Sequence, residues 1–313
     1  MDKDFITILA SDCDADTSTD DQDPIVCSSK SKLKPFDVCY VRKSDFLRLE
    51  TGKWLNDTLI EYSFFKLLEK SSERVLDYLH IFPTYFYTNL VSNDSTLTCE
   101  PDELSLIFHR NVMNWTKKKN IDIFEKSVHV YPINIHSHWY LVIARFPSKT
   151  DLFKPFLAIL DSSLKTSLDH EEVATNIRNY LLEEIKANKL SSLESRSINE
   201  MKTYYPLVPQ QTDGSSCGLF VIHYFRELLL LLSRGSELNP ALQGKAKWPK
   251  LPKDMRKNIA GLIRASADLF DLGNILPNLE FTDGEVKEKS SVYQQYLNDK
   301  LANCVDYTSL WTY

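Results

Sequence analysis

Cysteine is sparse and scattered. The chain carries six in 313 residues, at Cys13, Cys27, Cys39, Cys99, Cys217 and Cys304, and no two form a C-x-x-C pair. That spacing excludes a local zinc site and a dense disulfide framework, and it fits a reducing compartment. No metal and no cofactor are expected. Basic charge is also short: 37 Lys and Arg stand against 43 Asp and Glu, a formal net charge of −6. No nucleic-acid partner is therefore expected, because such binding is driven by positive charge. The one basic run, Lys117-Lys118-Lys119, reads as a solvated face. Long hydrophobic runs are missing too. Leu228–Leu232 is hemmed in by Arg226, Glu227, Ser233 and Arg234, so no membrane span is expected. Phe5–Ala10 is too short for a secretory signal and follows Asp2 and Asp4. Internal repeats are absent. An intracellular chain in nucleus or cytoplasm fits these absences, long enough for one large domain with extensions or for two small ones.

What is present divides the chain unevenly. Residues 1–33 read as a disordered acidic tail, since Asp12, Asp14, Asp16, Asp20, Asp21 and Asp23 among Ser and Thr bury too little apolar surface to order themselves. One run breaks that background: Ile6-Thr7-Ile8-Leu9 is a short β-branched and aliphatic run just ahead of acidic residues. Such a segment can add as a strand to a sheet edge, and the alternatives are an inert tail or a strand that folds back. Globular sequence covers 34–269, and 270–313 is an extension of unknown structure. Ser44–Leu49 predicts a short capped helix. In Trp54–Leu68, Asn56 or Asp57 caps a helix whose apolar stripe is Leu59, Ile60, Phe64, Leu67 and Leu68. Trp54, ahead of the cap, is either a staple on the first turn or part of a ligand groove. Residues 81–90 are aromatic and irregular, 91–104 a polar loop, and 106–119 a helix. Strands are expected over 127–133, 138–146 and 156–163, the last reaching Asp161, and a surface helix over 170–190. Strands flanked by helical sequence point to α+β.

The chain is organised around Gln210-Gln211-Thr212-Asp213-Gly214-Ser215-Ser216-Cys217-Gly218. Asp-Gly-Ser-Ser is loop chemistry, and from Cys217 the sequence turns apolar to Leu232, too long for one strand. Cys217 thus sits at or near the start of a buried helix, where free N–H groups and the dipole favour negative charge. The plain alternative is a core cysteine. A reactive thiol needs a base and a group that orients it. His138 opens one strand and Asp161 ends the next, so antiparallel pairing brings both to one sheet edge, although each is an ordinary strand-end residue when taken alone. His136 is a rival base two residues away on the same strand face. Gln211 is a candidate oxyanion donor beside the Cys217 N–H.

In this order, His138-Trp139, Asp161, Gln211 and Cys217-Gly218 resemble the Ulp/SENP family of SUMO-processing cysteine proteases, themselves similar to adenoviral proteases. Trp54-Leu55-Asn56-Asp57, Tyr85–Leu90, the Trp115 region with Ile121–Lys126, and Trp248-Pro249 with Met255–Ile259 resemble family stretches in the same order. The likeness covers about residues 35–265. His80–Lys126 is most similar to the branch that edits SUMO chains. The resemblance implies an α+β cysteine-protease fold, a central mixed sheet flanked by helices with the nucleophile at a helix N-terminus. It implies Cys217 as nucleophile, His138 as general base then acid, Asp161 as orienting carboxylate and Gln211 as oxyanion donor. Trp54 and Trp139 would line a channel for a Gly-Gly tail, Asp57 would face a basic residue of the modifier, and Tyr85 or Phe86 its apolar surface. The implied partners are SUMO and SUMO-conjugated proteins, the implied state a monomer, and the Ile6–Asp16 segment resembles a SUMO-interacting motif. The implied reaction is hydrolysis after Gly-Gly, from conjugates, chains or the precursor. Alternatives are a protease for ubiquitin or another ubiquitin-like modifier, or a weakly active SUMO-binding relic. Two features depart from the family: Ser216 stands where Asp commonly precedes the cysteine, and Ser148–Lys154 lengthens the hairpin between His138 and Asp161.

Overall fold

The computed structural model describes residues 23–30, 38–92, 101–117, 122–147, 153–163, 170–188, 195–235 and 238–267. The Ile6–Leu9 run, the 270–313 extension and most of the Ser148–Lys154 insertion lie outside them. Helices are α1 (Lys43–Leu47), α2 (Asp57–Glu69), α3 (Glu73–Leu76), α4 (Phe86–Leu90), α5 (Pro101–Lys117), α6 (His170–Asn188), α7 (Ser195–Asn199), α8 (Cys217–Arg234), α9 (Leu238–Leu242) and α10 (Met255–Ser266). Strands are β1 (Ile25–Lys30), β2 (Val38–Arg42), β3 (Leu79–Ile81), β4 (Val128–Ile135), β5 (His138–Arg145), β6 (Phe156–Leu160) and β7 (Lys202–Tyr204).

The main sheet has five strands in the order β3-β4-β5-β6-β7. Its central pairs are antiparallel and its outer pairs, β3 with β4 and β6 with β7, are parallel, so the sheet is mixed. β5 lies in the middle, and its apolar sequence is buried on both faces, as a central strand requires. Alternation sends Trp139, Leu141 and Ile143 into the core shared with α2, α8 and α10. Tyr140, Val142 and Ala144 enter a second core with α4, α5 and α6. In the first core Phe64 of α2 stacks on Phe225 of α8 with ring centroids 4.0 Å apart. Each such fully buried side chain contributes about 1.5–3 kcal/mol. Helix α8 is thereby clamped between sheet and α2.

Three expectations are corrected here. The acidic tail does not run to residue 33, because Ile25–Lys30 pairs antiparallel with β2 as β1. Its buried face is made by the alternating Cys27 and Ser29, while Ile25 at its start is exposed. The polar loop drawn over 91–104 ends earlier, since α5 begins at Pro101, a residue suited to the first helical turn. Residues 81–90 are not irregular throughout: β3 ends at Ile81 and Phe86–Leu90 is a helical turn.

His136 also sits elsewhere than expected. The register Ile135↔His138 leaves His136 and Ser137 as a two-residue turn. Both have positive φ, 50° and 62°, the pattern of a type I′ hairpin. His136 is exposed in that turn rather than aligned with His138 along a strand face.

Candidate active site

The hairpin and the next strand bring the first two groups together. β5 starts on His138, β6 runs out into Asp161, and their pairing extends to Leu141↔Leu160, so the two ends meet. His138 Nε2 lies 2.7 Å from Asp161 Oδ1. The carboxylate is buried, and Oδ1 also accepts the Ser163 N–H at 2.8 Å. Burial works against its charge, yet the hydrogen bonds from His138, His170 and Ser163 hold Asp161 down at about 2. For His138 burial again opposes charge, but hydrogen bonds to Asp161 and Cys217, and their charges, raise the imidazole to about 9. With Nε2 on the carboxylate, Nδ1 is the nitrogen left for the sulfur.

Cys217 is the first residue of α8, with Ser216 at the cap position, and its side chain is buried. The loop ahead of it is folded by one carboxylate. Asp213 Oδ1 accepts the N–H groups of Ser215 and Ser216, both at 2.8 Å, and Oδ2 accepts the Ser216 hydroxyl at 2.7 Å. Asp213 is lowered from its ordinary value: burial opposes this, and those hydrogen bonds outweigh it, with Arg256 adding to them. Ser216 therefore does not leave the loop without a carboxylate. Asp213 organises it from three residues upstream.

Gln210 and Gln211 join that loop to the end of β6. Gln210 Nε2 donates to the Asp161 carbonyl at 2.9 Å, and the Gln211 N–H to the Ser162 carbonyl at 2.8 Å. The Gln211 side chain accepts from Ser162 Oγ at 2.8 Å and donates to the Asp213 carbonyl at 2.7 Å. The candidate oxyanion donor is thus held within the loop that leads to Cys217.

The two indoles are unlike. Trp54 is 52% exposed and its Nε1 donates to the Gly214 carbonyl at 2.7 Å, so it is no buried staple on α2. Trp139 is only 3% exposed and donates to the Leu55 carbonyl at 3.1 Å. Leu55 reaches the start of α8 as well: a Cβ on Gly218 would lie 3.0 Å from Leu55 Cβ, tight enough that Leu55 would have to give by a few tenths of an ångström. Glycine after the cysteine therefore leaves room for the Leu55 side chain. Asn56, not Asp57, caps α2 by accepting the Leu59 N–H at 3.3 Å, and Asp57 is exposed in the first turn. One turn on, Glu61 accepts the Thr84 N–H and hydroxyl at 3.0 and 2.8 Å, tying half-buried Tyr85 to the Asp57 face. Phe86 is corrected as a surface contact. It is 2% exposed and packs on Tyr180, with ring centroids 5.0 Å apart, so it faces the core.

One contact was not foreseen. His170, the first residue of α6, places Nε2 2.9 Å from Asp161 Oδ2, so the carboxylate lies between two imidazoles. Tyr140 packs against both rings, at 6.1 Å from His138 and 5.0 Å from His170. No local pattern marks His170, whose contact is made only when α6 docks. His170→Ala is expected to lower kcat several-fold, the scale of one hydrogen bond of about 1 kcal/mol. Without that donor Asp161 becomes a stronger acceptor for His138, so the alkaline limb of activity moves to higher pH. His170→Gln, which keeps an N–H donor, is expected to restore most of the rate, and a pH–rate profile of each variant checks this.

The model of the Ulp1 protease family, C-terminal catalytic domain, matches residues 53–265, more than half of the chain. The chain is 28% identical over 297 residues to ubiquitin-like-specific protease 2 of Schizosaccharomyces pombe, covering 80% of this chain and 44% of that protein. It is 31% identical over 217 residues to the probable ubiquitin-like-specific protease 2A of Arabidopsis thaliana, covering 66% and 27%. It is 29% identical over 203 residues to human sentrin-specific protease 2, covering 65% and 29%. The chain thus spans less than half the length of these curated relatives. Among solved structures, a de-sumoylating protease superposes with a TM-score of 0.54 at 22% identity, over 77% of this chain and 90% of the other. That likeness shows the fold.

Proposed function

Since this chain belongs to the Ulp1 protease family, we propose that it is a thiol hydrolase cleaving the peptide or isopeptide bond after the C-terminal Gly-Gly of SUMO. The observation that carries the reading is the His138–Asp161 pair at 2.7 Å, with the imidazole also hydrogen-bonded to a cysteine at the start of α8. The imidazole and the helix terminus support a thiolate at neutral pH. Its sulfur attacks the terminal glycine carbonyl, and the oxyanion is met by the Cys217 N–H and by the Gln211 amide once it leaves the Asp213 carbonyl. As the C–N bond breaks, His138 passes its proton to the leaving amine, and a thioester remains. Neutral His138 then takes a proton from water, the hydroxide attacks the thioester, and the thiolate is released. Asp161 holds the ring's direction throughout.

Specificity on this reading is steric. The tail passes under exposed Trp54 and over buried Trp139, where any side chain beyond hydrogen is excluded. Asp57 and Tyr85 meet the body of the modifier. The run Ile6, Ile8 and Leu9 serves as an additional SUMO-binding segment. The setting is intracellular, nucleus or cytoplasm, where a free thiol persists. Among the described residues no helix is long and apolar enough to cross a membrane.

The test is a panel of vinyl-sulfone probes built on SUMO, ubiquitin and another ubiquitin-like modifier, applied to wild type and Cys217→Ala. SUMO is expected to form an adduct on wild type alone, with ubiquitin at least about a hundredfold slower. Equal labelling by ubiquitin would transfer the reading to another modifier. SUMO binding without an adduct would reduce the protein to a binding module.

A further inference from the structure

Arg256, on the first turn of α10, reaches away from its own helix into the site. Its Nη1 donates to the Arg48 carbonyl at 3.1 Å, and its Nη2 to the carbonyls of Lys53 at 2.7 Å and Ser215 at 3.3 Å. These acceptors come from two stretches distant in sequence: the connection from α1 to Trp54, at Arg48 and Lys53, and the loop before Cys217. A second bridge runs parallel, from Trp54 Nε1 to the Gly214 carbonyl. The wall of the passage and the loop that carries the sulfur are therefore stitched at two neighbouring points. The guanidinium suits this task because its donors are fixed in a planar fork, whereas an ammonium is a single flexible point. Burial pulls Arg256 below its ordinary value, and the charges of Asp213 and Cys217 act against that.

We propose that Arg256 is a positioning residue that fixes the spacing between Trp54 and Cys217, and so governs substrates that thread the passage rather than the reactivity of the sulfur itself. The inference rests on the protease reading above and deepens it. A misplaced wall costs alignment of the tail carbonyl with the sulfur, and displacements of about 1 Å remove up to about a hundredfold in rate. A small alkylating reagent needs no such alignment.

The experiment compares two reagents on the same protein samples. SUMO vinyl sulfone must pass Trp54, and iodoacetamide need not. Arg256→Gln is expected to slow SUMO vinyl-sulfone capture about tenfold. Iodoacetamide alkylation at about pH 9.5, above the ordinary thiol range, is expected to stay within about twofold of wild type. Arg256→Lys is expected to remain nearer to Arg256→Gln than to wild type, since one ammonium cannot span three carbonyls. A merely structural role would slow both reagents together, and that result overturns the proposal. So would unchanged capture in Arg256→Gln, or full recovery in Arg256→Lys. If wild type alkylates normally but forms no SUMO adduct, the protease reading falls and this inference with it. If wild type is captured and Arg256→Gln is captured equally fast, only this inference falls.

Discussion

Asp161→Asn is expected to lower kcat on a SUMO C-terminal fluorogenic substrate by about 10⁴-fold, with KM little changed. The substitution keeps the shape of a group that is 1% exposed and removes its charge. Its effect passes through His138, whose Nε2 would face an amide in place of a carboxylate at 2.7 Å. An amide that turns its NH₂ toward the ring forces the wrong tautomer, and the sulfur loses its partner. The pH dependence follows from the same pair. His138 is raised to about 9, so its charged form adds stability below the ordinary imidazole value, and this is lost as pH rises through about 9. Asp161 is lowered to about 2, so its contribution holds above the ordinary carboxylate value and is lost only as pH falls through about 2. Between those limits carboxylate and imidazolium coexist. Wild-type kcat/KM is expected to decline on the alkaline side near pH 9, and Asp161→Asn to bring that decline to lower pH. A variant that keeps both its rate and its alkaline limb would show that the carboxylate does not act on the ring.

The parts of this site that could be read from sequence are those that local rules fix. An Asp-Gly-Ser-Ser loop followed by an apolar run, broken only by His223, Arg226 and Glu227, put a helix start at or near Cys217, and α8 begins on that residue. Strand ends at His138 and Asp161 followed from apolar runs bounded by polar residues, and the antiparallel pairing then brought them within hydrogen-bonding distance. What was not legible depends on how distant elements dock. His170 meets Asp161 only through the placement of α6, and Arg256 meets Ser215 across 41 residues. Phe86 was misplaced for a related reason. In the stretch Phe82–Tyr87 each aromatic ring is apolar enough for either face, and the side that Phe86 turns inward is set by Tyr131 and Tyr180 on other elements. Ser216 raised a doubt that position alone could not answer. Its hydroxyl on Asp213 shows the loop closing by another route.

Gln211→Ala is expected to lower kcat by about 10²–10³-fold, the cost of removing one oxyanion donor. The side chain has two jobs that must be separated. It braces the loop, accepting from Ser162 Oγ at 2.8 Å and donating to the Asp213 carbonyl at 2.7 Å. On the proposed mechanism it also swings its amide toward the oxyanion, exchanging one carbonyl acceptor for a charged one. Charge-assisted hydrogen bonds are roughly twice as strong as neutral ones, so the exchange favours the transition state over the resting loop. Alkylation of Cys217 by iodoacetamide develops no oxyanion, whereas capture by a SUMO aldehyde forms a tetrahedral adduct that does. Loss of the donor is therefore expected to weaken aldehyde capture by a factor similar to that in kcat and to leave alkylation nearly unchanged. Gln211→Glu is expected to be worse than Gln211→Ala, because a carboxylate repels both the Asp213 carbonyl and the developing charge. If alkylation falls as steeply as aldehyde capture, the brace is the role that matters and the Cys217 N–H must hold the oxyanion without it.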